Sequence, residues 1–382
     1  MNADQNPKFN LRFVVNVLLK ALVLFVILNL LFATFNPLPF LGKLSIYNWL
    51  VPGRARLPFG ENPEAAYNLS LFNLNAMFAA HEIAGAHKAA EEYRVVLIGD
   101  SSVWGYWLTN EETLSANLNA AGLKTDGKRI VVYNLGYPTI SLTKDLLLLD
   151  RALAYEPDLV VWLVTLESFP YEKQTFTPLV QQNPWQVQEL IAEYGLNIDP
   201  TAPNFVTPTF WQHTIVGQRR QLADVLRLQL YGVPWAATGI DQDIPQYDDP
   251  ADYQTRQEDF EADESFYDLT APLTEQDVAF DVLAAGVGRA GDTPVLIINE
   301  PMFISAGENS DIRYNFFYPR WAYDDYRKLM TALSAENNWH YLDLWDAISP
   351  AEFTNSAIHL TPDGSTQLAE LVAPAILEIA RE

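Results

Sequence analysis

Short apolar runs recur along the chain, and most of them are rich in β-branched side chains. Apolar residues at consecutive positions, rather than alternating ones, are typical of strands buried on both faces of a parallel sheet. The predicted strands are Arg94–Ile98, Ile130–Asn134, Leu159–Val164, Val295–Ile298 and His340–Leu342. Stretches with helical periodicity separate them, so the pattern predicts an α/β domain with a doubly wound parallel sheet and functional residues at the carboxyl ends of its strands.

Helices are predicted between and around these strands. The predicted helices are Leu69–Glu92, Leu142–Tyr155, Gly217–Tyr231, Arg320–Glu336 and Ser365–Ile379. The helix around Gly217–Tyr231 is amphipathic, and the last helix closes the chain.

The N-terminal segment Phe13–Phe35 is apolar on all faces and long enough to cross a hydrocarbon core of roughly 30 Å. Its length exceeds the apolar core of a cleaved signal peptide, and no A-x-A-like site follows, so we interpret residues 1–45 as an uncleaved membrane anchor. A signal peptide and a buried core helix are the alternatives. Equal numbers of lysines and arginines lie on the two sides of the span, so their count does not decide its orientation. We place the acidic bulk of the chain on the outer side of a bacterial-type membrane.

A long interval from Phe169 to Leu273 interrupts the alternation of strands and helices. Its stretch Asp241–Asp268 carries eleven acidic residues against the single Arg256. We interpret residues 169–274 as an insertion or lid over the mouth of the site, between core segments 46–168 and 275–382. A solvated acidic loop without a role is the alternative.

Composition excludes several classes of partner and site. The chain has 24 Lys and Arg against 48 Asp and Glu, a formal charge of −24, which repels nucleic acid. It has no cysteine, and its five histidines form no HExxH-type pair, so neither a thiolate nor a zinc site is expected. The acidic stretch lacks the spacing of a calcium loop, and no cofactor is implied.

Two residues far apart in the sequence carry the candidate chemistry. Ser101 follows the first predicted strand in GDSS, where a sharp turn exposes its hydroxyl, and His359 lies in NSAIHLTPDG just before the last predicted helix. Loops after successive strands of a doubly wound sheet converge, so the histidine can reach the serine and accept its proton. The α/β-hydrolase elbow G-x-S-x-G does not fit, because Val103 stands where its second glycine belongs.

In these motifs the sequence resembles the SGNH (GDSL-like) hydrolases. GDSS after the first strand, Gly136 in NLGYPTIS after the second, and HLTPDG near the end match three of the four family blocks, over roughly residues 93–168 and 293–382. The resemblance implies a flavodoxin-like three-layer α/β/α sandwich, with Ser101 as nucleophile and His359 as general base. It also implies an oxyanion hole formed by the backbone N–H groups of Ser101 and Gly136.

The chain departs from the family in two places. The third block, G-x-N-D, supplies an oxyanion-binding Asn, but the corresponding strand end reads VTLES. The family acid three residues before the histidine is replaced by Ser356. Another residue or a backbone carbonyl must then orient the imidazole, and the side-chain candidates are Ser356, Asp343, Asp346, Glu300 and Glu167.

Candidate substrate-binding residues lie at the same sheet edge and in the loop after the fourth predicted strand. They are Asp100, Thr165, Asn299, Arg313 and Tyr314. An arginine can bind a carboxylate or phosphate, and aromatic side chains such as Trp321 can stack on sugar faces. The alternative is that the aromatic residues, which recur at helical spacing, belong to the core.

Two functions from different classes follow. The first is a membrane-anchored serine esterase or O-acyltransferase that acts on an extracytoplasmic acyl ester of a cell-envelope glycan or lipid. The second is a non-catalytic binding or assembly protein of the cell envelope, since two family groups are missing. The sequence does not identify a membrane protein partner for either function.

Overall fold

A six-stranded sheet forms the centre of the protein. The structure is a computed structural model that describes residues 10–59, 69–238 and 257–382. The strands are β1 (Glu92–Ile98), β2 (Lys124–Thr125), β3 (Lys128–Asn134), β4 (Leu159–Val164), β5 (Val295–Asn299) and β6 (His340–Asp343). Their order is β2-β3-β1-β4-β5-β6, and all neighbours pair in parallel except β2, which pairs antiparallel with β3.

Helices surround the sheet and extend from it. Those before β4 are α1 (Leu11–Phe35), α2 (Leu38–Leu41), α3 (Ile46–Leu50), α4 (Leu74–Ala80), α5 (Glu82–Gly85), α6 (Ser101–Trp104), α7 (Leu114–Ala120) and α8 (Leu142–Ala152). Those after β4 are α9 (Pro178–Gln182), α10 (Pro184–Tyr194), α11 (Arg219–Thr238), α12 (Phe280–Ala290), α13 (Arg320–Glu336) and α14 (Pro362–Ile379). The mixed α/β architecture predicted from the sequence is confirmed.

Side chains of successive strand residues enter two different apolar cores. Val160 and Trp162 of β4 pack in one core with residues of α8, α10, α12 and α13. Val161 and Leu163 pack in the other core with residues of α7 and α14. Because strand side chains alternate between faces, helices cover the sheet on both sides, which explains why the strands read as continuous apolar runs.

The predicted helix over Leu69–Glu92 is wrong. The chain instead forms a 3-10 turn at Leu69–Leu71, the two short helices α4 and α5, and an early start of β1. His81 interrupts the helical run because its backbone is extended, and its Nδ1 accepts a hydrogen bond from the N–H of Ile83 at 3.1 Å. A side chain that caps the next turn competes with continuation of the helix.

The insertion is substantially folded in its described part. Helices α9 and α10 pack on α8, and side chains of the insertion such as Val180 and Leu190 enter the same core as Phe280. Helix α11, predicted as Gly217–Tyr231, packs instead against α3 and α2. Most of the acidic stretch Asp241–Asp268 lies outside the described residues.

Helix α1 has the length and composition of a membrane span. It has 25 residues and a mean hydropathy of 2.5, and nearly all of its side chains are exposed. A signal sequence near an N-terminus has the same properties. Only its Asn29 and Ala33 are buried among the residues of this helix.

Candidate active site

The turn after β1 presents Ser101 as the first residue of α6. Gly99 allows this turn, because a Cβ at that position would lie 2.6 Å from Val103 Cγ2 and 3.1 Å from the carbonyl oxygen of Leu163. Asp100 caps the helix, and its carboxylate accepts a hydrogen bond from the N–H of Ser102 at 2.8 Å. The N–H of Ser101 makes no hydrogen bond to any described residue.

His359 lies in the loop that leads into α14. The N–H and hydroxyl of Thr354 donate to its carbonyl oxygen at 2.9 and 3.1 Å. Two residues later, Thr361 caps α14 by accepting from the N–H of Gly364. The imidazole stacks on the ring of Tyr106, with the ring centroids 5.0 Å apart. Backbone contacts and one aromatic ring thus fix the position of the histidine.

The two candidate catalytic side chains meet. His359 Nε2 lies 2.8 Å from Ser101 Oγ, although 258 residues separate them in the sequence. Burial lowers the pKa of His359 to about 4, so the ring is neutral at pH 7. In the tautomer that lets Nε2 accept the serine proton, the single ring N–H is on Nδ1. This atom is buried and has no hydrogen-bond partner among the described residues.

A buried charge network that the sequence analysis missed supports the nucleophile turn. Lys144 of α8 is fully buried, and its Nζ donates to the carbonyl oxygens of Gly99 at 2.7 Å and Tyr137 at 3.1 Å. It also pairs with Asp145 Oδ1 at 2.5 Å, and Trp162 Nε1 donates to the second oxygen of Asp145 at 3.2 Å. One ammonium group therefore ties the turn after β1 to the loop after β3.

Glu300 faces the second serine of the GDSS turn. The hydroxyl of Ser102 donates to Glu300 Oε2, while Oε1 is buried without a partner among the described residues. Burial, together with the nearby charge of Asp100, raises the pKa of Glu300 well above its usual value. Burial also raises the pKa of Asp145 to about 6, against the opposing effect of Lys144. Burial raises the pKa of Asp100 as well, so the two buried carboxyl groups each disfavour the charged form of the other.

Gly136 does not offer the free N–H expected from the family resemblance. Its N–H donates to Asn134 Oδ1 at 3.0 Å, because the Asn134 side chain folds back over the loop after β3. The glycine serves close packing instead, since a Cβ there would lie 2.5 Å from the backbone nitrogen of Trp104. In this structure the oxyanion donor predicted at Gly136 is already engaged.

None of the proposed side-chain partners of the imidazole bonds to it. Three of them have other partners: Asp343 pairs with Arg327 at 2.7 Å, Glu167 with Lys173 at 2.9 Å, and Glu300 with Ser102. Asp346 is exposed, and neither it nor Ser356 hydrogen-bonds to His359. These five predictions of an orienting group are therefore corrected: an ion pair or a buried hydrogen bond holds three of the carboxylates, and the other two side chains do not bond to the ring.

The predicted substrate-binding residues near the strand ends have structural partners. Thr165 Oγ1 lies 2.7 Å from the hydroxyl of Tyr318. Asn299 is fully buried and donates to Asp343 at 2.8 Å. Asp100 is buried and caps α6. None of the three is placed to bind a substrate directly in this structure.

The predicted recognition loop after β5 is likewise held by its own contacts. The guanidinium of Arg313 is buried and donates to the carbonyl oxygens of Asn315, Asp263 and Phe316. Tyr314 is buried, and its hydroxyl donates to Asp324 at 2.7 Å. Trp321 Nε1 donates to the carbonyl oxygen of Glu264. The guanidinium group therefore holds the loop in place and is not available to bind an anion.

The arrangement can carry out nucleophilic acyl transfer. A serine hydroxyl in contact with a neutral imidazole can attack an ester carbonyl while Nε2 takes its proton. The N–H of Ser101 at the start of α6 can donate to an oxyanion that develops beside the serine. Within the three described segments, no three His, Asp or Glu side chains gather as they would around a metal ion.

Several solved structures are similar to this chain at low identity. One is described as a putative lipolytic protein of the G-D-S-L family from Desulfitobacterium hafniense, at 14% identity, a TM-score of 0.34, and coverage of 74% of this chain and 99% of that chain. A carbohydrate acetylesterase family member from Sinorhizobium meliloti matches at 13% identity and a TM-score of 0.34, over 75% of this chain and 99% of that chain. No protein-family model and no curated protein match the sequence.

Proposed function

We propose that this protein is a membrane-anchored serine esterase or O-acyltransferase of the SGNH type that acts on an extracytoplasmic acyl ester. Ser101 is the nucleophile and His359 the general base. The observation that carries the proposal is the 2.8 Å contact between Ser101 Oγ and His359 Nε2 at the carboxyl end of β1. The parallel strand order and the helices on both faces agree with the flavodoxin-like sandwich that the sequence resemblance implies.

The reaction has two steps. Ser101 Oγ bonds to the ester carbonyl carbon as its proton passes to Nε2, and the N–H of Ser101 donates to the resulting oxyanion. The carbon–oxygen bond to the alcohol then breaks, the alcohol leaves with the proton from Nε2, and an acyl-enzyme remains. Water or a sugar hydroxyl repeats the sequence in reverse, which gives hydrolysis or acyl transfer.

The anchor is supported by contacts between α1 and the rest of the protein. The N–H of Val216 donates to Asn29 Oδ1 at 3.2 Å, and Gln218 Nε2 donates to Asn36 Oδ1 at 3.2 Å. A helix that contacts its own domain is expected to stay with it after export, unlike a cleaved signal peptide. Alkaline extraction of membranes, with protease protection of the folded domain, tests both anchoring and the proposed orientation.

Labelling with a fluorophosphonate probe tests the nucleophile on the full-length protein. We expect labelling that disappears in Ser101→Ala and falls strongly in His359→Gln. Ser102→Ala is the matched control, because it removes a hydroxyl from the same turn but leaves the contact with the imidazole intact. Mass spectrometry of the labelled peptide identifies the modified serine.

A non-catalytic binding or assembly protein is the second candidate, and two observations favour it. His359 Nδ1 has no partner among the described residues, and the N–H of Gly136 is already bonded to Asn134. Both features weaken catalysis, since they leave the base unoriented by a carboxylate and the oxyanion with one donor fewer. Absence of labelling between pH 6 and 9 in folded protein would favour this candidate and contradict the enzymatic one.

A further inference from the structure

Large apolar side chains are exposed beside the end of α1. Helices α2 and α3 pack against α11, and we call the outer face of these three helices, with the 3-10 turn Phe210–His213, the apolar face. Four of its large apolar side chains are about 70% exposed: Trp49 at 70%, Trp211 at 69%, Leu226 at 67% and Leu230 at 73%. Such a concentration of exposed large apolar residues marks a binding surface on a soluble domain.

The apolar face adjoins α1 at a defined depth. The turn Phe210–His213 packs along α1, and Val216 is hydrogen-bonded to Asn29, six residues before the helix ends at Phe35. About 20 helical residues cross a hydrocarbon core, so a span that begins at Leu11 reaches the headgroup region near position 30. The exposed aromatic side chains of the turn therefore lie at the level where tryptophan is enriched in membrane proteins.

The charge of this region is opposite to that of the rest of the chain. Residues 36–59 contain no acidic residue; Lys43 is exposed, whereas Arg54 and Arg56 are buried. Residues 206–238 contain three arginines and a single acid, Asp224, which is buried and pairs with Arg227. In a chain of charge −24, this region carries an excess of basic residues and is suited to anionic lipid headgroups.

We propose that the apolar face lies in the lipid interface, so that the domain rests on the bilayer instead of moving freely on a tether. The inference rests on the proposed membrane insertion of α1. The exposed residues Leu226 and Leu230 are four positions apart on α11 and so project from one side of that helix into the lipid.

Contact with the bilayer at this face also constrains the site. The guanidinium of Arg56 donates to the carbonyl oxygens of Gly105 and Leu108, in the chain that directly follows α6. Trp104 Nε1 donates to the carbonyl oxygen of Leu57 at 2.8 Å. The segment that follows α3 thus connects the apolar face to the nucleophile turn, and the site is kept within a fixed distance of the membrane.

Spin labelling tests the proposal cleanly, because the chain contains no cysteine. Leu226→Cys and Leu230→Cys are labelled with a nitroxide in the full-length protein, in vesicles of phosphatidylcholine and phosphatidylglycerol. Power saturation compares collisions with oxygen, which concentrates in lipid, and with a water-soluble nickel chelate. Trp185→Cys is the matched control, since Trp185 is 69% exposed on α10, which packs on α8.

We expect the ratio of oxygen to nickel accessibility at positions 226 and 230 to exceed that at position 185 by about threefold or more. A ratio equal to that of the control overturns the proposal, because the face is then in water. Low accessibility to both reagents also overturns it, because the face is then covered by a second copy or a partner protein. A label at Leu24→Cys reports on α1 separately: a water-like ratio there overturns the anchor, and this inference with it.

Discussion

The pH dependence of the nucleophile follows from the environment of His359. A free imidazole with a pKa near 6.5 is about 9% neutral at pH 5.5, whereas a ring with a pKa of about 4 is about 97% neutral. Lowering the pH from 7.5 to 5.5 is therefore expected to reduce the rate of fluorophosphonate labelling of Ser101 by less than about twofold. An exposed imidazole acting as base gives a decrease of about tenfold over the same interval.

The assay measures the initial labelling rate of the full-length protein at both pH values, at equal probe concentration. Circular dichroism at each pH checks that the protein stays folded. The measurements stay above pH 5, because the isoelectric point is near 4.5 and association is favoured there. A tenfold fall in labelling, with the fold intact, refutes the reasoning that burial controls this histidine.

Three further predictions concern side chains around the site. Ser356→Asp places a carboxylate at the position of the family acid and should raise the pKa of the His359 imidazole. We expect labelling at pH 7.5 to be about tenfold faster and to fall more steeply with acid, and stopped labelling reactions measure both the rate and its pH dependence. Lys144→Met leaves Asp145 without its buried cation and should lower the free energy of unfolding by about 3–5 kcal/mol in urea titrations. Gly136→Ala forces a Cβ against the backbone of Trp104 and should lower the free energy of unfolding by about 1–3 kcal/mol in urea titrations.

Each of these changes has a matched control in the chain. Asn355→Asp adds the same charge at the neighbouring exposed position and should leave the labelling rate within about twofold of the wild type. Lys328→Met breaks a pair between an exposed lysine and Asp325 and should leave the free energy of unfolding nearly unchanged. Gly288→Ala meets only Tyr194 at 3.7 Å and should not destabilise the protein. Equal effects of a change and its control would contradict the corresponding argument.

The strands of the sheet and the contact between the two candidate catalytic side chains were predictable, because local sequence patterns determine them. The predicted bounds of β4 and of α13 agree with the structure, since a buried strand and an amphipathic helix each leave a periodic signal. The meeting of Ser101 and His359 was predicted from the placement of their motifs in a parallel sheet, because loops at the carboxyl ends of parallel strands converge.

The partners of the polar side chains could not be predicted in the same way. Lys144 carries one local signal, a lysine beside an acid in a helix otherwise rich in leucine, but its bonds go to carbonyl oxygens 45 and 7 residues away. The engagement of Gly136 by Asn134 depends on a side-chain rotamer, which spacing does not specify. Which carboxylates remain free was decided by competing ion pairs, such as that of Asp343 with Arg327.

The distance in sequence between nucleophile and base has a consequence for the biogenesis of the protein. Ser101 emerges early during synthesis, but His359 follows 258 residues later and is held by the loop that starts the final helix. Until that last segment has been synthesised and has packed on the sheet, the serine has no base and remains an ordinary hydroxyl. A chain that is truncated or stalled near its end is therefore inert towards esters, so reactivity arises only in a molecule whose folding is complete.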